Sequence, residues 1–420
     1  MMVLLFFALL MVLGIPIALS IGLASTLFYH FEAGRSFGVV VQAMFAGINS
    51  FALMAIPFFI FAGDIMLKGG VSRRLIAFAR QLVGWTKAGL PITGVVSSMF
   101  FAALSGSAPA TVAAIGGIMI PSMQDANYTK RFAVGLLCAA GALGIVIPPS
   151  ITLVVYGVVA EQSITALFWG GILPGIFIGL VLVVMAAWYA RTQPYERDPY
   201  PKLLDIWRTF RSSLWGLLMP AMVLGGIYFG IFTPTEASAV AVAYSLFVSL
   251  FIYREMDLRT LMSTARRSVI ISAVIMFIIG NAQILSRYMT FRRIPTQIAE
   301  FLLQYAGTEF ALLLVVNIVF LFFGMIMSPS AAVIILTPLF LPSILAAGVN
   351  PIHFGVLMVV NLSIGMITPP FGLNLYVAAG IGDMNVGNVV RAVFPFMIAM
   401  ILSLLVITYY PPLTLWLIGG

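Results

Sequence analysis

Two stretches interrupt the long apolar runs of this 420-residue chain: Ser105-Gly106-Ser107-Ala108-Pro109-Ala110-Thr111 and Gly144-Ile145-Val146-Ile147-Pro148-Pro149-Ser150. Glycine, proline and serine in such clusters end helices and start new ones. The apolar sequence around them is long enough to lie in a bilayer, where a spanning helix needs about 20 apolar residues. The chain is therefore predicted to break or turn inside a membrane.

Both stretches return later in the chain at a constant spacing of 221 residues. The matched pairs are Ser107 and Ser328, Ala110 and Ala331, Pro121-Ser122 and Pro342-Ser343, Gly144 and Gly365, and Pro148-Pro149 and Pro369-Pro370. A fixed offset indicates an internal duplication. The general enrichment of glycine and proline in membrane helices does not predict such an offset. Paired interruptions in two halves of a membrane protein point to a transporter's binding site.

Composition indicates an all-α polytopic membrane protein, since 62% of the residues are hydrophobic and 8% are charged, against about 25% charged in soluble domains. Cys138 is the only cysteine, which excludes an intramolecular disulfide and a cysteine metal cluster. His30 and His353 stand far apart beside predicted loops, without the usual catalytic or metal-binding partners. We expect no ATP, since no G-x-x-x-x-G-K-[ST] sequence occurs. The net charge of +8 lies in loops, so we expect no nucleic-acid partner.

Hydropathy divides the chain into two halves joined by a polar connection at 191–211, which includes Arg197. In the first half we predict a retained first helix at Met2–Leu27, a crossing at Phe37–Leu67, a surface helix at 68–87, a re-entrant hairpin at Pro91–Met123, a broken crossing at Phe132–Ala160 and a return at Ile164–Ala190. In the second half we predict a pair at Leu214–Phe232 and Ala237–Tyr253, a crossing at Val269–Leu285, an amphipathic stretch from Arg287 to Tyr305, a second hairpin at Phe310–Ala346, a second broken crossing at Phe354–Gly380 and a closing helix at Val389–Leu417.

Positive charge orients this arrangement, because Lys and Arg concentrate in cytoplasmic loops. A cytoplasmic N-terminus leaves only Arg35, Arg287, Arg292 and Arg293 of the 21 Lys and Arg residues outside. The first hairpin then enters from the cytoplasm and the second from outside. The duplicated units are thus predicted to be inverted repeats, the structural basis of alternating access.

Each predicted hairpin tip has the chemistry of an anion site. Ser107 and Ser328 are candidate N-caps, and Pro109 and Pro329 stand in the first helical turn, where a missing N–H is harmless. The unpaired N–H groups and the positive end of the helix dipole would face the middle of the membrane. Such a site favours a carboxylate.

The broken crossings have the chemistry of a cation site. Their prolines are expected to free backbone carbonyls around Leu143–Gly144 and Ile364–Gly365. Together with the hydroxyls of Ser105, Ser107, Ser150, Ser328 and Thr368, these oxygens suit a small hard cation. A proton relay would need a buried Asp, Glu or His, and the nearest acidic candidates, Asp64 and Glu161, stand near segment ends. Sodium coupling is therefore favoured over proton coupling.

Four motifs together resemble the large membrane subunit of tripartite ATP-independent periplasmic (TRAP) transporters: Phe100–Thr111, Ile147–Ser150, Gly170–Gly175 and Gly365–Gly372. The resemblance covers essentially the whole chain. It implies a sodium-driven elevator in a bacterial inner membrane, in which a mobile domain with both hairpins and both broken helices moves past a static scaffold. It also implies a small four-helix membrane subunit, a periplasmic substrate-binding protein, and an organic acid such as a dicarboxylate, sialic acid or sugar acid as substrate.

These arguments yield two predicted sets of binding residues. The sodium-binding set is Ser105, Ser107, Gly144, Pro148, Gly324, Ser328, Gly365 and Thr368. The substrate-binding set is Ser107, Ala108, Thr111, Ser150, Arg287, Pro329, Ser330 and Asn374. Arg287 is included because arginine can bind a carboxylate through two parallel hydrogen bonds; the alternative is an interfacial arginine that extends toward water.

The predicted division of the chain is a scaffold at 1–90, a first transport repeat at 91–163, further scaffold at 164–309, a second transport repeat at 310–385 and a C-terminal helix at 386–420. Besides the tripartite interpretation, three others stay open. A self-sufficient divalent-anion/sodium symporter would share inverted hairpins and transport without partners. A channel would conduct without saturation. An intramembrane enzyme would need a catalytic cluster in the membrane, for which the sequence offers no paired residues.

Overall fold

The computed structural model describes residues 2–191, 198–306 and 308–419, and every regular element in these ranges is helical. The helices of the first half are α1 (Met2–Val12), α2 (Ile17–Phe31), α3 (Phe37–Ile48), α4 (Ala55–Lys68), α5 (Val71–Val83), α6 (Gly89–Ser105), α7 (Ala108–Thr111), α8 (Gly117–Asp125), α9 (Lys130–Gly141), α10 (Ile151–Val159) and α11 (Ile164–Ala190). Those of the second half are α12 (Leu203–Tyr228), α13 (Pro234–Phe247), α14 (Leu258–Phe291), α15 (Ile294–Ala306), α16 (Glu309–Ile326), α17 (Pro329–Ala346), α18 (Pro351–Gly365), α19 (Leu373–Gly382), α20 (Val386–Tyr409) and α21 (Pro412–Leu415). By length and composition, 8 of the helices in this part of the chain can cross a membrane, which confirms the predicted class.

The first two predicted crossings are each divided. Gly14 adopts a left-handed conformation with φ of 80° and Pro16 precedes α2, so the predicted helix at Met2–Leu27 is two helices. The predicted crossing at Phe37–Leu67 is likewise split, by a 3-10 turn at Phe51–Met54. The local signals, Gly14 with Pro16 and the pair Asn49-Ser50, are too short to change the average hydropathy, which reports burial in lipid and not backbone direction.

The crossing predicted at Val269–Leu285 is wrong at both ends. One 34-residue helix, α14, covers it and continues through Arg287. The side chain of Asp257 caps its start by accepting a hydrogen bond from the Thr260 amide at 3.0 Å. No proline stands within α14 before Phe291, and Gly280-Asn281 stay helical within α14, so α15 forms separately after it. The polar connection is also shorter than predicted, since α12 begins at Leu203; residues 192–197, including Arg197, lie outside the described residues.

Four chain breaks lie where the sequence predicts them. The helix pair α6 and α7 is interrupted at Gly106-Ser107, and the pair α16 and α17 at Met327-Ser328. The crossings formed by α9 with α10 and by α18 with α19 are interrupted at the two Pro-Pro sequences, whose peptide bonds are both cis. A π-helical turn at Val112–Gly116 and α8 continue α7 directly, so the second arm of the first hairpin runs from Ala108 to Asp125.

The helices pack as an inner and an outer group. Helix α18 is buried along nearly its whole length and contacts α16, α17, α11 and α20, while α6 contacts α9 and α11. In the outer group α14 packs against α2, α3 and α4, and α13 packs against α4. Helix α5 contacts both groups, through α6 and α12.

Two glycines allow a close backbone contact between α16 and α18 in the inner group. A Cβ atom built on Gly365 would lie 2.5 Å from Gly324 Cα, which is too close for any side chain. Helices α16 and α18 therefore touch through their backbones at this point, next to both the second hairpin tip and the second Pro-Pro break.

We expect Gly365→Ala to destabilise the protein by about 1–3 kcal/mol, because the added methyl group forces the two backbones apart. Gly380→Ala is the matched control, since nothing lies within 4 Å of a Cβ at Gly380. Thermal unfolding of the purified protein in detergent measures both. Equal unfolding temperatures for the two variants would contradict the close α16–α18 contact.

Candidate functional site

The first hairpin tip is a compact cluster of oxygen atoms. Gly106 takes a left-handed conformation with φ of 57°, which ends α6 and directs the chain into the extended residue Ser107. The Ser105 hydroxyl lies 3.0 Å from the Thr111 hydroxyl, and the Thr111 hydroxyl donates to the Ser107 carbonyl at 2.9 Å. Three of the predicted site residues are thus brought together by local hydrogen bonds.

The first Pro-Pro break packs directly on this tip. A Cβ atom on Gly144 would lie 2.6 Å from both the Ser107 carbonyl oxygen and Thr111 Oγ1, and one on Gly106 would lie 2.8 Å from the Pro149 carbonyl oxygen. Gly144 therefore belongs to the same cluster as Ser105, Ser107 and Thr111. The predicted free carbonyl at Leu143 is wrong, because the chain bends and the amides of Val146 and Ile147 both donate to it at 3.0 Å.

Ser150 is fully occupied within its own segment. Its buried hydroxyl donates to the Ile145 carbonyl at 2.6 Å and accepts from the Leu153 amide at 3.4 Å. The side chain thereby closes the break and caps α10 at once. A substrate oxygen at Ser150 would have to replace one of these bonds.

The second hairpin tip resembles the first in backbone form. Ser328 is extended and directly precedes α17, with Pro329 in the first turn, as predicted. Neither Ser107 nor Ser328 makes the predicted side-chain capping bond. The first amides of α17 therefore donate no hydrogen bond to the Ser328 hydroxyl, and Ser328 itself is exposed while Pro329 is buried.

The second Pro-Pro break forms a tight loop before α19. The Thr368 hydroxyl donates to the Ile364 carbonyl at 2.7 Å, and the Thr368 amide donates to the Gly365 carbonyl at 3.0 Å. The predicted free carbonyls at Ile364 and Gly365 are therefore wrong as well, for the same reason as in the first break. The Asn374 amide donates to the Met366 carbonyl at 3.0 Å and so fixes the start of α19.

Asn374 is the most informative residue of the second break. Its side chain is completely buried, yet neither its amide nitrogen nor its amide oxygen has a hydrogen-bond partner in the described part of the protein. Leaving one such buried polar group unpaired costs about 1–3 kcal/mol. An unpaired buried amide beside the second Pro-Pro break is the feature expected of a ligand-binding residue.

Arg287 does not join these residues. It is exposed on α14, and no hydrogen bond or ion pair connects it to either break among the described residues. Its neighbour Tyr288 is instead buried and donates to Glu32 at 2.5 Å. The structure thus gathers the residues of each hairpin tip with its Pro-Pro break and leaves Arg287 apart.

A buried polar chain beside the second break is absent from the predicted sets. Asn361 on α18 donates to Asn317 on α16 at 2.8 Å, and Asn317 donates to Thr408 on α20 at 2.9 Å. His353 approaches the Thr408 carbonyl at 3.2 Å and the Thr414 hydroxyl at 2.6 Å. His353 therefore has buried partners instead of standing free beside a loop. Polar residues spaced along apolar helices were the available signal.

Asp64, near the end of α4, is partly enclosed by the protein. It is half-buried on α4 and accepts a hydrogen bond from the Ser268 hydroxyl of α14 at 2.9 Å. Its neighbour Gly63 faces the first hairpin, since a Cβ there would lie 3.1 Å from Ser105 Cα and 3.3 Å from the Leu104 carbonyl oxygen. The outer group of helices thus touches the first tip at Gly63.

Comparisons with known proteins identify the family. The profile of the family described as "Tripartite ATP-independent periplasmic transporter, DctM component" matches residues 4–413. The chain is 43% identical to the C4-dicarboxylate TRAP transporter large permease protein DctM of Vibrio cholerae, over 97% of this chain and 94% of that protein. It is 41% identical to the isethionate TRAP transporter permease protein DctMQ of Oleidesulfovibrio alaskensis, over 99% of this chain and 65% of that longer protein.

The fold is similar to that of Neisseria gonorrhoeae MtrF, an antimetabolite efflux pump, with a TM-score of 0.62, 14% identity, and coverage of 93% of this chain and 84% of that one. At this identity the likeness concerns the fold alone. The family profile and the curated relatives are decisive: the chain belongs to the DctM family, the large permeases of TRAP transporters. Its relatives are transport permeases and not enzymes, which confirms the expectation that this chain is a transporter and not an intramembrane enzyme.

We expect Asn374→Leu to leave the stability of the ligand-free protein unchanged or to raise it, because the substitution removes an unpaired buried amide. Asn317→Leu is the matched control, because both of its amide atoms are paired, and it should lower stability by about 1–3 kcal/mol. Thermal unfolding in sodium-free buffer compares the two. A loss of stability in Asn374→Leu as large as in Asn317→Leu would show that Asn374 has a structural partner.

Proposed function

We propose that this chain carries out sodium-coupled import of an organic acid anion that a periplasmic binding protein delivers, by an elevator mechanism. The observation that carries the proposal is the pairing of each hairpin tip with a Pro-Pro break, with the Asn374 amide buried and unpaired at the second. Broken helices of this kind hold substrate and coupling ions in secondary transporters.

The first tip is the stronger candidate for a sodium ion. Its oxygens come from the hydroxyls of Ser105 and Thr111 and the carbonyl of Ser107, beside Gly144. The described residues contain no group of three or more His, Cys, Asp or Glu that could hold a metal ion, so neutral oxygens would supply the coordination. The proposed sodium-binding residues at the second break are Thr368, Gly324, Gly365 and Ser328.

The substrate is proposed to lie between the two tips, against the first amides of α7 and α17. Ala108, Pro329 and Ser330 stand in these first turns, and Asn374 would add one donor and one acceptor. The names of the relatives include a C4-dicarboxylate and isethionate. Because helix N-termini favour oxyanions in general, a carboxylate is our first choice and a sulfonate the second.

Packing supports a particular division into moving and static parts. The inner group contains both hairpins, both broken crossings, α11 and α20, and the outer group contains α2, α3, α4, α13 and α14. We propose that α11 and α20 move with the hairpins, because they contact α6, α9 and α18. The outer group would form the static scaffold and would hold the small membrane subunit.

The conformation is proposed to be inward-facing. Gly63 of α4 touches the first tip. It stands five residues before Lys68, at the end of α4 that positive charge assigns to the cytoplasm. Five helical residues correspond to roughly 8 Å along the helix axis, so the tip lies near the cytoplasmic side. Contacts between segments assigned to that side support the orientation: Arg73 and Arg74 pair with Glu255, and Arg80 pairs with Asp198. A cytoplasmic N-terminus follows from the same orientation.

The partners are proposed from the family. A TRAP large permease works with other components, and the relative named DctMQ is a fused permease. We therefore propose a small four-helix membrane subunit and a periplasmic binding protein as partners. A self-sufficient symporter is the alternative, and it predicts uptake by the purified chain alone.

Thr111→Val should weaken sodium activation of transport, because it removes one hydroxyl from the first tip without changing the side-chain volume. We expect the half-activating sodium concentration to rise on the order of tenfold, or ~1.4 kcal/mol. Thr93→Val is the matched control: its buried hydroxyl, on α6 in the other arm of the same hairpin, donates to the Gly89 carbonyl. The assay is uptake of radiolabelled acids into liposomes that contain this chain and its small subunit, with binding protein added.

The same assay tests the proposed function as a whole. Uptake that requires one binding protein and an inward sodium gradient supports the tripartite importer. Uptake without binding protein, or uptake driven by a proton gradient alone, would overturn it and direct attention to Asp64, the half-buried carboxylate nearest the first tip.

A further inference from the structure

The strongest unexplained feature outside the transport site is a basic cavity of about 390 Å³ between α5, α12 and the end of α13. Its lining residues are Arg74, Arg208, Arg211, Ser212, Trp215, Ile252 and Tyr253. Three guanidinium groups thus meet at one cavity, on the side that positive charge assigns to the cytoplasm. None of these residues takes part in the proposed transport mechanism.

The walls of this cavity are held in place by hydrogen bonds. The Arg74 guanidinium stacks 3.8 Å from the centre of the Tyr253 ring and donates to the Gly70 carbonyl at 2.9 Å. The Tyr253 hydroxyl in turn donates to the Ser212 carbonyl at 2.8 Å. On the other side, the Tyr244 hydroxyl donates to the Trp215 carbonyl at 2.7 Å. The cavity is therefore organised before any ligand arrives.

The cavity has an excess of positive charge. The Glu255 carboxylate pairs with Arg73 at 2.5 Å and with Arg74 at 2.6 Å. Burial opposes its ionisation, but hydrogen bonds and charge from Arg74 and Arg73 hold the pKa of the Glu255 carboxyl below its usual value. Arg208 and Arg211 are exposed, and no ion pair with either is found in the described ranges. The planar guanidinium group of arginine can donate two parallel hydrogen bonds to the oxygens of a phosphate group.

An apolar cavity of about 730 Å³ adjoins the same turns of α12. Its lining residues are Phe78, Leu82, Leu203, Leu204, Ile206, Trp207 and Phe210. Trp207 and Trp215 are 61% and 38% exposed, and tryptophan at such positions is typical of the membrane–water interface. A phosphate site next to an exposed apolar cavity at the interface fits an amphiphile better than a soluble anion.

We propose that Arg74, Arg208 and Arg211 bind the phosphate headgroup of an anionic phospholipid of the cytoplasmic leaflet, whose acyl chains lie against the apolar cavity around Trp207. Basic pockets between membrane helices on the cytoplasmic side are suited to such headgroups. The site joins α5 to α12, so a bound lipid would bridge the arm that leads to the first hairpin and a helix of the second half.

The test uses the purified full chain in phosphatidylcholine nanodiscs, with phosphatidylglycerol or cardiolipin added, and measures bound lipid by native mass spectrometry. The variant is Arg208→Ala/Arg211→Ala, and both side chains are exposed, so folding should be preserved. The matched control is Arg259→Ala/Arg266→Ala, which removes the same charge from an exposed groove on α14. A second variant, Arg208→Lys/Arg211→Lys, keeps the charge and removes the paired donors.

We expect the Ala pair to lose anionic-lipid affinity by roughly fivefold per arginine, or about 25-fold together, with an intermediate loss in the Lys pair and little change in the control. Equal losses in the Ala pair and the control would overturn the proposal in favour of general surface attraction. Inorganic phosphate that displaces the lipid at equal concentration would overturn the lipid assignment in favour of a soluble anion. Both results are independent of sodium-coupled transport, which the liposome assay tests separately.

Discussion

Backbone hydrogen bonding is the constraint on which this structure depends. An amide or carbonyl that leaves a helix inside hydrocarbon has no water to bind, so each break must be enclosed by protein. Gly106 of the first tip is therefore packed against Pro149 of the first broken crossing, and Gly324 beside the second tip against Gly365 of the second. Hairpin and broken crossing enclose one another, and glycines stand where their backbones meet.

In the second half of the inner group, buried polar groups are paired through side chains as well. Buried side-chain hydrogen bonds link α16, α18 and α20; they involve Asn361, Asn317, Thr408 and His353. Their partners are other side chains and carbonyls, so this part of the inner group is held rigid by directional bonds as well as by apolar packing. Among these four residues only the Asn361 side-chain oxygen lacks a partner in the described part of the protein, whereas at Asn374 both side-chain amide atoms do, which is why Asn374 carries the proposal for a ligand.

The sequence could predict the breaks because their signals are local. Pro148-Pro149 and Pro369-Pro370 lack the amides that helices need, and Ser107 and Ser328 stand at helix starts. It could not predict which carbonyls stay free, because the bend at each break lets nearby amides or hydroxyls reach Leu143 and Ile364. Nor could hydropathy place Arg287, since α14 continues through charged residues that can reach water at its ends.

Contacts between distant segments could not be predicted from the sequence either. The Asn361–Asn317 bond and the contact of Gly63 with Ser105 join helices that are far apart in the chain. A single sequence contains no record of such pairs. The residues of the candidate site were thus largely predictable, whereas the surroundings that leave Asn374 unpaired required the structure.

Helix α5 packs on α6 of the inner group and on α12, and its two ends are unlike its middle. At one end Gly70 is left-handed and lies against the Glu255 carboxylate. Beyond the other end, a Cβ on Gly89 would collide with the Gly84 carbonyl. Between these ends lies a rod of 13 residues, about 20 Å long. In the proposed elevator movement, this helix would be a stiff connection between two sharp bends, and its length would set an upper limit on how far the first hairpin travels from α4.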